Sequence, residues 1–115
     1  MHNNNARKNL DILPIMEGLR SFMEREGCSR DDYEFLVLNH VLLDAISRLA
    51  QQNAPERKEV IKELRDYVHR EIPNLSACRS YKQESAKRRL VMSFNYRGME
   101  DAAQLMLKAG RSLRG

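Results

Sequence analysis

The chain has 115 residues, enough for one domain that buries roughly two-thirds of the surface its unfolded form exposes. Hydrophobic residues make up 42% and charged residues 31%, with five Gly and three Pro, a balance of an ordered, soluble helical protein rather than a disordered one. The formal net charge of +4 is unevenly spread: residues 1–75 carry 11 Lys/Arg against 13 Asp/Glu, and residues 76–115 carry nine against three.

Residues 1–9 are expected to form a disordered polar start, and residues 10–113 a single helical domain. Asp11 stands where it can cap a first helix, with apolar Ile12, Ile15, Met16, Leu19, Phe22 and Met23 at helical spacing. Pro14 falls in the first turn, where a missing N–H is tolerated, and Gly27 supplies a stop. Ser29 with Asp32 resembles a capping box that opens a second helix running to about Gln52. Between Tyr33 and Ala50 that helix carries Phe35, Leu36, Val37, Leu38, Val41, Leu42, Leu43, Ala45, Ile46 and Leu49, so it is expected to be surrounded by other helices.

Asn53-Ala54-Pro55 ends the second helix. A third starts near Pro55 and Glu56, with Val60, Ile61, Leu64, Val68 and Ile72 on one stripe, and stops at Ile72-Pro73. Ser80-Tyr81-Lys82-Gln83 reads as a second capping box, opening a fourth helix through Leu90, Val91 and Phe94 to Gly98. Glu100 and Asp101 suit the first turn of a fifth, containing Ala102, Ala103, Leu105, Met106, Ala109 and Leu113. No segment alternates as a strand does. The predicted fold is all-α: a compact bundle of about five helices around a central buried helix near 30–52, with the first and third packed against it.

The longest apolar run, Phe35 to Leu38, is far short of the ~20 residues of a membrane span, and the Asn-rich start has no apolar signal-peptide core. A cytoplasmic location is expected. Cys28 and Cys78 are then expected to be free thiols, and the six Met residues to fill the core.

Asp66 and His69 lie three apart on the third helix, with Glu63 extending the row, but the motif is not repeated on a partner helix as helical metal sites require. His69-Arg70-Glu71 matches half of a zinc deaminase signature, whose Pro-Cys-x-x-Cys half is absent. A solvated helix face is expected. His40, inside the most apolar run, is expected to be a hydrogen-bonded structural residue. Asp31-Asp32 read as first-turn helix acids.

The order of segments is similar to the helical C-terminal region of bacterial family 2 glycosyltransferases, which build capsular and extracellular polysaccharide. The resemblance lies in the helix Ile12 to Gly27, the acidic-aromatic Asp31-Asp32-Tyr33-Glu34-Phe35-Leu36, and Asn39-His40-Val41-Leu42-Leu43. It continues in Pro73-Asn74-Leu75, where the family often has Trp in place of Leu75, and in the basic stretch Arg79, Lys82, Lys87, Arg88 and Arg89. The catalytic part of such an enzyme would be an α/β nucleotide-sugar domain whose Asp-x-Asp carboxylates hold a divalent metal. No Asp-x-Asp occurs here, so no catalytic residue, cofactor or metal ligand is expected in this chain.

The resemblance implies a non-catalytic accessory domain that packs on the catalytic domain in cis, contributes to its acceptor side, or mediates assembly. A second copy of the chain is a further candidate partner. Lys82, Lys87, Arg88, Arg89, Arg97, Lys108, Arg111 and Arg114 are candidate contacts to a partner or to anionic lipid at the inner face of the cell membrane. The alternative is a small basic helical nucleic-acid-binding or regulatory protein, suggested by a pI of about 9.3. Against it, base-stacking aromatics are few and no basic recognition helix is evident.

Overall fold

The computed structural model describes residues 6–113, with side chains described as far as Ala109. All regular structure among these residues is helical. A 3-10 helix, Ala6–Asp11, leads directly into α1, Ile12–Arg25. Helix α2 spans residues 30–50 and comprises α-helical Arg30–Leu36, π-helical Val37–Ala45 and α-helical Ile46–Ala50. Helix α3 is Arg57–Glu71; a 3-10 turn, Leu75–Ala77, and the short α4, Arg79–Lys82, lead to α5, Ala86–Tyr96, and α6, Glu100–Leu113.

The central helix is where it is expected, and its inner side is apolar: Val37, Leu38, Val41, Leu42, Ala45, Ile46 and Leu49 are buried in one cluster with Val60, Ile61, Leu64 and Val68 of α3 and Met92 of α5. It is not surrounded on every side. Apolar pairs recur every four residues, 37/38, 41/42, 45/46 and 49/50, while His40, Asp44 and Arg48 recur outside at the same interval. In a straight α-helix a four-residue repeat drifts by about 40° per repeat, which would wind the stripe off the core. The π stretch counters this drift, because its hydrogen bonds reach one residue further back, as from Ile46 N–H to Val41 O, and each turn holds more residues. His40 is therefore exposed, contrary to the structural role expected of it, and Phe35, expected inside, is half-exposed.

Both glycine stops form as expected. Gly27 has φ 74° and Gly98 φ 82°, and each is followed by a residue whose N–H reaches five back, Cys28 to Met23 O at 2.9 Å and Met99 to Phe94 O at 2.8 Å. These are Schellman closures of α1 and α5. Ser29 caps α2, its Oγ accepting from Asp31 N–H at 2.9 Å, and Asp31 and Asp32 occupy the first turn.

Three local expectations are corrected. Asp11 makes no side-chain cap, because the preceding 3-10 helix feeds straight into α1 and leaves no extended N-cap residue. The capping box read at Ser80-Gln83 does not form: Ser80 Oγ donates instead to Asp31 O at 3.0 Å, tying α4 to α2, and the long helix starts later under Ser85, whose Oγ accepts from Arg88 N–H. Structure also begins before residue 10. Ala6 is buried, its carbonyl accepts from Asn9 Nδ2, and Arg7 pairs with Glu56 and Glu63 next to α3; residues 1–5 lie outside the described residues.

Side chains on α3 fasten the second half of the chain to the core. Arg65 donates to Asn95 O at 3.1 Å and to Glu100 Oε1 at 2.8 Å, and His69 Nε2 donates to Tyr96 O at 2.8 Å. Tyr96 in return donates to Ile72 O at 2.6 Å. Asn95, fully buried, donates to Leu42 O in the π stretch and to Ser47 Oγ. One α5–α6 turn is thus pinned to both α2 and α3.

Candidate functional site

Burial of a carboxylate without partners is costly, so Glu71, only 8% exposed, directs attention to its surroundings. Arg30 approaches its Oε1 at 3.5 Å and its backbone O at 2.7 Å, Arg70 approaches Oε2 at 3.3 Å, and Arg20 lies 3.8 Å from Oε1. Arg20 also pairs with Glu17, as does Arg70 at 3.1 Å. The Tyr33 and Tyr67 hydroxyls meet in the buried space between α2 and α3, and Arg30 and Arg70 lie over these rings at 5.0 and 4.9 Å. Every charge of the cluster has an opposite neighbour, and the cluster fixes α1 onto α2 and α3. The sequence pattern groups Glu71 with the solvated face of α3, and its position one turn beyond buried Tyr67 is the signal that places it inside.

The other sequence candidates on α3 are on the solvated face as expected. Asp66 pairs with Lys62 at 3.0 Å, Glu63 with Arg7, and His69 packs edge-on against Tyr96 with ring centroids 4.3 Å apart. Among the described residues, no group of three or more His, Cys, Asp or Glu side chains is placed to hold a metal ion. Cys28 and Cys78 are free thiols. Cys28 is exposed, whereas Cys78 is buried and donates to Glu34 Oε1 at 3.4 Å, and burial raises its pKa. Met16 and Met92 are core residues, but Met99 is exposed.

The exposed stripe of α2 borders an open groove of about 530 Å³, lined by His40, Asp44, Ser47 and Arg48 and closed by Arg88 of α5 and Leu107 of α6. Its charges are internally matched. Arg48 pairs with Asp44 at 2.9 Å, and Arg88 donates to Glu84 at 2.7 Å and to Asn39.

The basic residues singled out in the sequence are dispersed. Arg88 is committed to this groove, and Arg89 is half-buried with its Nε shielded from solvent. Arg97 lies in a separate groove of about 610 Å³ with Lys58, Lys62 and His69. Lys82, Lys87 and Lys108 are exposed; the Arg111 side chain and Arg114 lie outside the described residues.

Apolar side chains are left open on α1, α2, α5 and α6. Helix α1 turns Met16 inward with Ile12, Leu13 and Met23 against the core, yet Ile15 is 62% and Phe22 51% exposed, with half-buried Leu19 between them. Positions 15, 19 and 22 share one helical face. Helix α6 leaves Leu105 open in the same way. Comparison with protein-family models, with curated proteins and with solved structures finds no match to this chain. No helix among the described residues is long and apolar enough to cross a membrane.

Proposed function

We propose that this chain is a non-catalytic helical module that packs against the catalytic domain of a family 2 glycosyltransferase, an enzyme that transfers sugars from nucleotide-sugar donors in polysaccharide synthesis. The observation that carries this reading is the second apolar stripe of α1, Ile15-Leu19-Phe22, which the domain's own core does not use. Apolar side chains grouped on one helix face favour a contact site over apolar residues scattered singly. The order of segments shared with the C-terminal region of such enzymes supplies the class of partner. The Glu71 cluster contributes rigidity, holding α1 so that its outer face is presented in one orientation.

Titration of the chain against an isolated family 2 catalytic domain from the same genome tests the reading. Saturable binding is expected, and Phe22→Asp, on an exposed position, is expected to weaken it at least about tenfold while leaving helix content unchanged. Absence of binding overturns the proposal. A salt-sensitive shift of duplex DNA by the same preparation would favour the nucleic-acid alternative instead, because phosphate contacts weaken steeply with salt.

A further inference from the structure

Helix α6 leaves part of its apolar side open: Leu105 and Ala109 are exposed, and Ala102, Met106 and Leu107 are half-buried. Its apolar residues Ala102, Leu105, Met106 and Ala109 cluster on one side, whereas the face buried against α2 and α5 runs through Ala103, Gln104 and Leu107. The consequence is inverted burial at neighbouring positions. Gln104 is buried with both amide atoms shielded and without a hydrogen-bond partner among the described residues, while Leu105 is 69% exposed. Arg65–Glu100 and the Gly98 closure hold the start of α6 in this rotation.

Helix α5 also leaves an apolar side chain open. The two helices pack together around the turn at Gly98, with exposed Leu90 and half-buried Met106 each the same number of residues from it along the chain, and exposed Met99 sits at the turn itself. Three exposed cations stand on the hairpin without an ion-pair partner among the described residues: Lys87 on α5, Lys108 on α6, and Arg97 in the turn, at the edge of the groove that Asp66, Glu100 and Asp101 also line. Asp101 is the exposed acid of the same hairpin; Glu100 is engaged by Arg65.

We propose that the α5–α6 hairpin docks on an anionic lipid bilayer surface, with Leu90, Met99 and Leu105 entering the headgroup boundary and Lys87, Arg97 and Lys108 facing acidic headgroups. Apolar side chains flanked by unpaired cations are the composition of an interfacial membrane contact, and the positive charge distinguishes this face from α1, whose Ile15-Phe22 stripe is bordered by Glu17–Arg20 pairs. The proposal is independent of the glycosyltransferase reading, because it concerns the chain alone.

Co-sedimentation of the purified chain with vesicles of phosphatidylcholine, with and without 40% phosphatidylglycerol, tests it. Retention by the acidic vesicles at low salt and its loss on pure phosphatidylcholine are expected. Each basic residue near an acidic surface contributes roughly a fivefold change in partitioning, so Lys87→Glu with Lys108→Glu is expected to reduce retention at least ~20-fold. Leu105→Asp should also reduce it, and Phe22→Asp on α1 should not. All positions are exposed, and circular dichroism confirms that each variant is folded. No retention by acidic vesicles, retention insensitive to Leu105→Asp, or a concentration-dependent dimer abolished by Leu105→Asp without any vesicle binding would each overturn the proposal.

Discussion

The hydroxyl groups of Tyr33 and Tyr67 share a hydrogen bond in the buried space where α2 crosses α3. Burial raises the pKa of both, and for Tyr33 the hydrogen bond to Tyr67 raises it further. A folded-state pKa above the unfolded value of about 10 means that the neutral form is favoured by folding. This contribution is fully present below pH ~10 and is lost as pH rises above the unfolded value toward the folded one, at up to about 1.4 kcal/mol per pH unit for each group. Urea midpoints should therefore hold up to about pH 10 and fall above it. Tyr33→Phe should cost about 1 kcal/mol at pH 7 and show a shallower alkaline decline than the parent; an unchanged decline would dissociate Tyr33 from it.

The three described glycines of the folded region separate backbone from packing effects. Gly18, in the middle of α1, has open space where a Cβ would be, so Gly18→Ala should stabilise by about 0.5–1 kcal/mol. Gly27→Ala meets nothing but must adopt φ 74°, and should cost ~1 kcal/mol. At Gly98 the same backbone penalty is joined by a Cβ 3.4 Å from Arg65 Cζ, the guanidinium that holds Asn95 O and Glu100. That distance is an ordinary contact, so Gly98→Ala should cost about as much as Gly27→Ala, ~1 kcal/mol, and chemical denaturation of the three variants separates both from Gly18→Ala.

Helix α2 predicts opposite outcomes two residues apart. His40→Ala, on the exposed stripe, should change stability by no more than about 0.5 kcal/mol, whereas Leu42→Ala should cost about 3 kcal/mol through the cavity it leaves. Equal losses at the two positions would contradict the four-residue phase of this helix.

The two thiols should react as two populations. Exposed Cys28 should be modified promptly by a thiol reagent at pH 8, and Cys78, buried and with its pKa raised by burial, at least about tenfold more slowly. In urea the two rates should converge, and Cys28→Ser should remove the fast phase alone.

Local chemistry was legible where one residue decides it. Gly27 and Gly98 end helices because they alone take the left-handed conformation there, Pro73 ends α3 because it disfavours the residue before it in the α region, and Ser29 caps α2 through its own hydroxyl. Capping was misread where a distant partner competed for the same group: Ser80 is free to cap in sequence, but Asp31 O, 49 positions away, takes its hydroxyl.

The sequence by itself determined the all-helical class, the helix boundaries set by glycine and proline, and which helix is central, because these follow from periodicity and backbone stereochemistry within a few turns. Even the phase of α2 was written in its four-residue repeat, although reading it required a helix wider than the α form. Only the tertiary structure decided that Glu71 is buried among three arginines, that α6 buries Gln104 and exposes Leu105, and that the basic residues of the last third are divided between grooves and a hairpin edge. The physical reason is that helix periodicity specifies an apolar side, whereas the side that meets the core is chosen by anchors from other helices, here Arg65 on Glu100 and Asn95 on Leu42.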